Sequence, residues 1–307
     1  AGRIEHVELH GSTPDFPADF LPDGAPQSSV SRNPSYTPVS GSVGLIQNLP
    51  GDLVGSITAQ YVERAPKPAE LFSRGAHDAT ATFDIGNPNL TIETAKSVEI
   101  GLRKATGPFR FEATAYYTRF SNFIYRRLTG VMCGGDFDSC GNGDPGNEGR
   151  QAVYSQRDAT FRGAEFQSQL DIGAFNGGIW GIENQFDVVR ATFTDGSNVP
   201  RIPPVRLGGG VYWRDSNWFT RVNLVHAFAQ NDIAVIGETP TAGYNLLNAE
   251  ITYNTKLNQS WIGAREMTLG LVGNNLLNQN IRNSVSYTKD EVLMPGLGVR
   301  AFANLKF

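Results

Sequence analysis

The sequence predicts an all-β chain, a portion of an antiparallel transmembrane β-barrel built here from about twelve strands. Three observations lead there. Apolar residues recur with a period of two along most of the chain. The links between these runs alternate long and short. No stretch approaches the roughly eighteen uninterrupted apolar residues that a membrane helix requires, whereas a barrel strand needs only about ten residues and hides half of them from lipid.

The first strand is read from Ala1-Gly2-Arg3-Ile4-Glu5-His6-Val7-Glu8-Leu9-His10, which shows no leader pattern, so a targeting segment is expected outside these residues. Its His6, Glu8 and His10 share one face opposite Val7 and Leu9 and are expected to face the lumen. Farther along, Leu53, Gly55, Ile57, Ala59 and Tyr61 alternate with Ser56, Thr58 and Gln60. In the next clean run, Val98, Ile100 and Leu102 oppose Ser97, Glu99, Gly101 and Arg103. Met267, Leu269 and Leu271 oppose Thr268 and Gly270, and the chain closes with Leu297, Val299, Ala301, Ala303, Leu305 and Phe307 against Gly298, Arg300, Phe302, Asn304 and Lys306. One face suits lipid and the other suits water.

The links fall near 11–35, 49–52, 66–92, 105–108, 127–149, 174–177, 196–204, 216–217, 231–242, 257–264 and 280–296. A soluble sandwich has no reason to sort its loops by parity, whereas an outer-membrane barrel turns tightly in the periplasm and loops widely outside. Trp180, Trp213, Trp218 and Trp261 all map next to short connections, as an interfacial aromatic girdle would. Only 18% of residues are charged and the net charge is -4, which does not invite nucleic acid.

Several segments closely resemble the barrel of TonB-dependent outer-membrane receptors. They are Glu63-Arg64-Ala65-Pro66, Ala69-Glu70-Leu71-Phe72, Gly86-Asn87-Pro88-Asn89-Leu90 with Glu93, Gln156-Arg157-Asp158-Ala159 with Gly163-Ala164-Glu165, Asn274-Asn275-Leu276-Leu277-Asn278, and the terminal Phe307. The resemblance implies a barrel of about 22 strands filled by a plug, in the outer membrane of a Gram-negative bacterium, importing a metal or metal chelate with energy delivered through the TonB complex. Residues 1–307 would then be the C-terminal part of the barrel, the plug and roughly ten further strands having no counterpart here. Either the chain is a piece of a larger receptor or it is half of a split one. Its partners would be outer-membrane lipid, TonB through the missing part, the metal or chelate, and the barrel assembly machinery, which reads a terminal aromatic such as Phe307. Glu99, Arg103, Glu112, Glu165, Glu183, Glu250 and Arg300 would line the lumen, against the plug or simply against water.

On this map Gly75-Ala76-His77-Asp78-Ala79-Thr80 lies in the long loop 66–92. His77 is either a solvated loop residue that caps a turn or, with Asp78, a pair of ligands for Zn²⁺, to which His10 is the best third candidate in the chain. The segment, continued by Asp84, Gly86 and Leu90, is similar to one in zinc-type receptors. Haem receptors also place a histidine between boxes like Arg64-Ala65-Pro66 and Asn87-Pro88-Asn89-Leu90. Val62-Glu63 departs from the haem pattern, and an axial ligand prefers apolar neighbours rather than Asp78. Asn283 and Leu297 depart from the zinc-type ending. Zinc is therefore the favoured cargo and haem or siderophore iron the alternative, with no intrinsic cofactor.

Cys133 and Cys140, the only cysteines, are expected to form a disulfide in an oxidising compartment, with a thiolate metal site as rival. Asp136, Asp138 and Asp144 beside them fit no full calcium motif. A passive porin is a further reading, which the receptor-like segments oppose. An enzyme is not expected: His226 is the one histidine that faces lipid, and no serine stands near it in sequence to make a phospholipase pair.

Overall fold

The computed structural model describes residues 1–17, 20–22, 25–134, 140–141, 149–257 and 263–307. Five short strands come first: β1 (Gly2–Ile4), β2 (Val7–Glu8), β3 (Gly11–Ser12), β4 (Ser31–Arg32) and β5 (Ser35–Tyr36). Then follow β6 (Val39–Leu49), β7 (Leu53–Arg64), the helix α1 (Pro68–Phe72), β8 (Arg74–His77) and β9 (Thr82–Ile85). The remainder is a meander: β10 (Glu93–Lys104), β11 (Phe109–Cys133), β12 (Gly149–Phe175), β13 (Gly178–Phe193), β14 (Arg206–Arg214), β15 (Trp218–Ala227), β16 (Tyr244–Lys256), β17 (Glu266–Asn274) and β18 (Gly298–Lys306).

Twelve strands lie side by side in the order β1-β6-β7-β10-β11-β12-β13-β14-β15-β16-β17-β18, each antiparallel to the next. The wall is therefore the predicted antiparallel sheet, and among the described residues β18 pairs with β17 alone, so these strands do not close on themselves. Two of its lower connections are tight because they carry residues that accept positive φ. Gly51-Asp52 joins β6 to β7 and Asn176-Gly177 joins β12 to β13, both central residues of each turn lying in the left-handed region that matches strand twist.

The register separates two faces. Ile57, Val98, Ile100 and Tyr117 share the outward one and are about half exposed, as surface meant for lipid would be. The inward face carries Glu99, Arg103, Glu112 and Glu165, and the ion pair Arg221–Glu250 at 2.9 Å. On this inward face three aromatic rings lie across cross-strand glycines: Tyr116 over Gly163, Tyr212 over Gly181 and Phe302 over Gly270. Trp180 and Trp213 are direct cross-strand partners at the lower rim, with Trp218 close by, while Trp261 lies outside the described residues.

Above the wall the sequence reading needs correction in three places. The strand expected through residues 1–10 is broken into pieces, and its faces are reversed. Ile4 is opposite Val39 on the outward side, whereas Leu9 packs inward against Leu71, Leu90 and Ile124. His6, Glu8 and His10 are thus exposed on the side opposite Leu9, with His6 Nε2 3.0 Å from Glu8 Oε1. Second, the link expected at 127–149 is partly strand: β11 and β12 continue to Cys133 and from Gly149, through register shifts at Phe120/Phe123 and Leu128/Met132. Third, the loop 66–92 folds into α1 and the β8–β9 hairpin, and β9 pairs in parallel with Arg150–Val153 of β12. That pairing covers the edge that β12 exposes above β13.

Gly181→Ala would place a methyl against the Leu170 carbonyl and the Tyr212 ring. A loss of about 1–3 kcal/mol is expected, read as a lower urea midpoint for the protein folded in liposomes, with an unchanged β-sheet circular dichroism spectrum.

Candidate functional site

Arg64, at the top of β7, organises the loop that carries His77. Its guanidinium binds Glu93 at the start of β10 (Nε to Oε1, 2.8 Å) and Glu70 of α1 (Nη1 to Oε2, 2.9 Å). Glu70 in turn accepts the Lys67 amide at 2.8 Å, capping the helix that Pro68 starts, and Glu93 accepts the Ile124 amide at 2.6 Å. One arginine therefore ties β7, β10 and α1 together, and Glu93 carries the link on to β11. Gly86 passes so close to α1 that a Cβ there would lie 2.6 Å from the Leu71 carbonyl carbon and the Phe72 nitrogen. Leu90 then drops into the apolar cluster of Leu71 and Ile124. Gln156 holds the following turn, accepting from the Thr91 amide at 2.9 Å and donating to its carbonyl at 2.7 Å.

His77 ends β8 and is half exposed, with Nδ1 2.6 Å from Thr80 Oγ1. Asp78 begins the 3-10 turn Asp78–Thr80 and is exposed. The acid that faces the imidazole is Asp84 from β9, 3.8 Å from Nδ1 and itself buried. A cation already serves Asp84: Arg126 Nη1 donates to its Oδ2 at 2.5 Å and lies 3.4 Å from His77 Nδ1. His10 does not join them in a cluster, and among the described residues no group of three or more His, Cys, Asp or Glu side chains is arranged to hold a metal.

Arg126 belongs to a network that the sequence did not announce. Its Nε donates to the Tyr287 hydroxyl at 2.8 Å, and its guanidinium carbon lies 3.9 Å from the ring centroid. Arg201 stacks on the same ring at 3.7 Å and donates to the Arg126 carbonyl at 2.7 Å. Arg150 donates to the Tyr287 carbonyl at 2.5 Å, and its Nε is buried with no hydrogen-bond partner among the described residues. Burial first, and then the neighbouring Arg126 and Arg150 charges, lower the Arg201 pKa against the opposing pull of Tyr287 and Glu238. Three guanidinium groups thus converge on one tyrosine. Arg126 is already paired with Asp84 and Arg150 lies 3.6 Å from Glu291, so Arg201 is the one of the three with no ion pair among the described residues and the group best suited to a carboxylate, catecholate or phosphate.

Cys133 and Cys140 are joined, with sulfurs 2.05 Å apart, inside a cluster that also contains Phe20, Leu21, Phe83 and Ile85. Gln151 Nε2 donates to the Phe20 carbonyl at 2.9 Å, bringing the loop after β3 onto the same core. Asp136, Asp138 and Asp144 lie outside the described residues. His226 faces outward beside Phe228 and bonds Asn245 at 2.9 Å.

Residues 1–276 match the family model described as TonB dependent receptor-like, beta-barrel. Among solved structures, the chain is similar to the copper transporter OprC (17% identity, TM-score 0.72), covering 99% of this chain and 45% of that one. It is also similar to the ferric citrate transporter FecA (17% identity, TM-score 0.59; 89% of this chain, 39% of that one). A third is the Serratia marcescens hemophore receptor HasR, solved with its hemophore HasA and heme (15% identity, TM-score 0.52; 100% and 47%). The chain spans less than half the length of each, and at these identities the likeness concerns the fold.

Arg126→Ala is expected to leave the buried Asp84 carboxylate without its cation at a cost of about 3 kcal/mol. Hydrogen exchange should then quicken at the β9 amides, and Asp84→Asn added to Arg126→Ala should restore part of the protection.

Proposed function

The chain belongs to the TonB-dependent receptor β-barrel family, whose members are transporters of the Gram-negative outer membrane and not enzymes, and on that premise we propose that the intact protein imports zinc, met at the outer surface by His77. Residues 1–307 supply the C-terminal part of the barrel wall with its extracellular loops. The remaining strands, the plug and the contact with TonB come from the rest of the receptor, a reading supported by the 45% of OprC that the chain covers.

The observation that carries the zinc reading is the presentation of His77. Thr80 engages Nδ1, which fixes the ring and leaves Nε2 as the nitrogen open to an arriving ion, the arrangement by which an outer group orients a ligating imidazole. Asp78 follows directly on the exposed turn, and its carboxylate is the second donor. His10, exposed on the rim, is the third candidate from this chain. Arg126 neutralises Asp84, so further ligands come from the remainder of the receptor. The conclusion is a metal importer whose first contact with zinc is an exposed histidine–aspartate step.

A second reading rests on the convergence of Arg126, Arg150 and Arg201 on Tyr287. With Arg126 paired to Asp84 and Arg150 to Glu291, Arg201 is the charge left to favour an anionic chelate, either siderophore-bound iron or the propionates of haem. The two readings make different demands on the same loop. Titration of the intact receptor with zinc chloride should show binding weakened at least about tenfold by His77→Ala and unchanged by Arg201→Gln. Zinc binding indifferent to His77→Ala, together with ferric citrate or haemin binding lost in Arg201→Gln, would transfer the protein to the chelate class.

A further inference from the structure

The outward face carries a second charged feature, remote from the His77 loop. Lys96 on β10 is the direct cross-strand partner of Arg119 on β11, and Arg162 on β12 is the direct partner of Arg190 on β13. Arg162 also sits diagonal to Arg119, since its other partner is Tyr117. Four cations therefore cross four adjacent strands in one belt. Like charges set directly opposite one another repel and destabilise a sheet, so two such pairs side by side require a counter-charge.

The chain supplies little of it. Arg190 meets Asp232 at 2.9 Å. Lys96 leans over the Tyr61 ring, 5.9 Å from its centroid. Among the described residues the side chains of Arg119 and Arg162 have no hydrogen bond or ion pair, Lys96 has no carboxylate partner, and all three are exposed. Two acids on the neighbouring strands have other partners: Glu63 accepts from the Tyr61 hydroxyl and the Val39 amide, and Asp158 accepts the Asn122 amide.

Position identifies the missing anion. On the same face Val98 and Tyr117 lie one step below Lys96 and Arg119, level with Arg162, and Ile100 lies one step below them, paired through Ala115 and Ala164 to Val188, as part of the lipid-facing band. The belt lies on the side of the long loops, hence at the outer leaflet. A ligand that fits both levels has acyl chains below and phosphate above. We propose that Lys96, Arg119, Arg162 and Arg190 bind the phosphate groups of the phosphorylated glycolipid of the outer leaflet, lipid A, whose acyl chains lie along the band beneath. The inference depends on the outer-membrane placement and is independent of the cargo.

The test is thermal unfolding and native mass spectrometry of the intact receptor in detergent, with added bisphosphorylated lipid A, its dephosphorylated form, or inorganic phosphate. Wild type should retain and be stabilised by the bisphosphorylated lipid alone. The variant Lys96→Gln/Arg119→Gln/Arg162→Gln should bind it about a hundredfold more weakly, while Arg119→Lys/Arg162→Lys keeps binding. Equal binding of both lipid forms by wild type, a measurement that needs no variant, would overturn the proposal. So would equal stabilisation by inorganic phosphate, which would assign the belt to free anions, or undiminished binding in the glutamine variant.

Discussion

Inside a bilayer no water is available to satisfy a peptide group, so every backbone donor and acceptor in the wall must find its partner in the neighbouring strand. The rest of the molecule depends on that demand. It forces an unbroken ladder from β6 to β18, and the ladder fixes which side chains meet lipid and which meet the lumen. A slip of one residue would turn Val98, Ile100 and Leu102 inward and Glu99 and Arg103 into hydrocarbon. The loops can be elaborate because their bases are set by the same ladder to within a single residue.

The residues that mark the family are the ones that build the corners above this ladder. Arg64, Glu70 and Glu93 turn the chain over the rim, Gly86 permits the close pass over α1, and Gln156 pins the returning strand. Asn275 and Asn278 do the same after β17. Both have positive φ; Asn275 donates to the Gln279 and Pro295 carbonyls, and Asn278 accepts the Leu297 amide. None of these groups is free to hold cargo. Recognition of the family and recognition of the cargo thus rest on different residues, and the first can be certain while the second stays with the loops between the corners.

Much of the wall was legible from alternation and loop parity, because period two and short turns such as Asn176-Gly177 are local properties. Alternation alone does not say which face is inner. At His6, Glu8 and His10 polarity suggested a lumen, but the exposed side is the one opposite Leu9, while the inside is filled by Leu9 and its apolar partners. The upper part of β11 escaped notice because Gly130, at positive φ, and the register shift after Leu128 interrupt its pattern. The arginine network was beyond reach for a simpler reason. Arg126 and Tyr287 are 161 positions apart, and only the folded sheet places them in contact.

The long hairpin reaches well past the wall. At roughly 3.3 Å per residue, the 25 residues of β11 and the 27 of β12 extend some 80 Å, more than twice the nine to eleven residues that cross a bilayer. Register shifts interrupt the pairing at Phe120/Phe123 and Leu128/Met132, but each strand is one continuous segment from the wall into the part above it, β11 reaching the disulfide-bonded Cys133. The part above the wall is thus continuous with the wall strands, and the register shift at Phe120/Phe123 marks the division between the two.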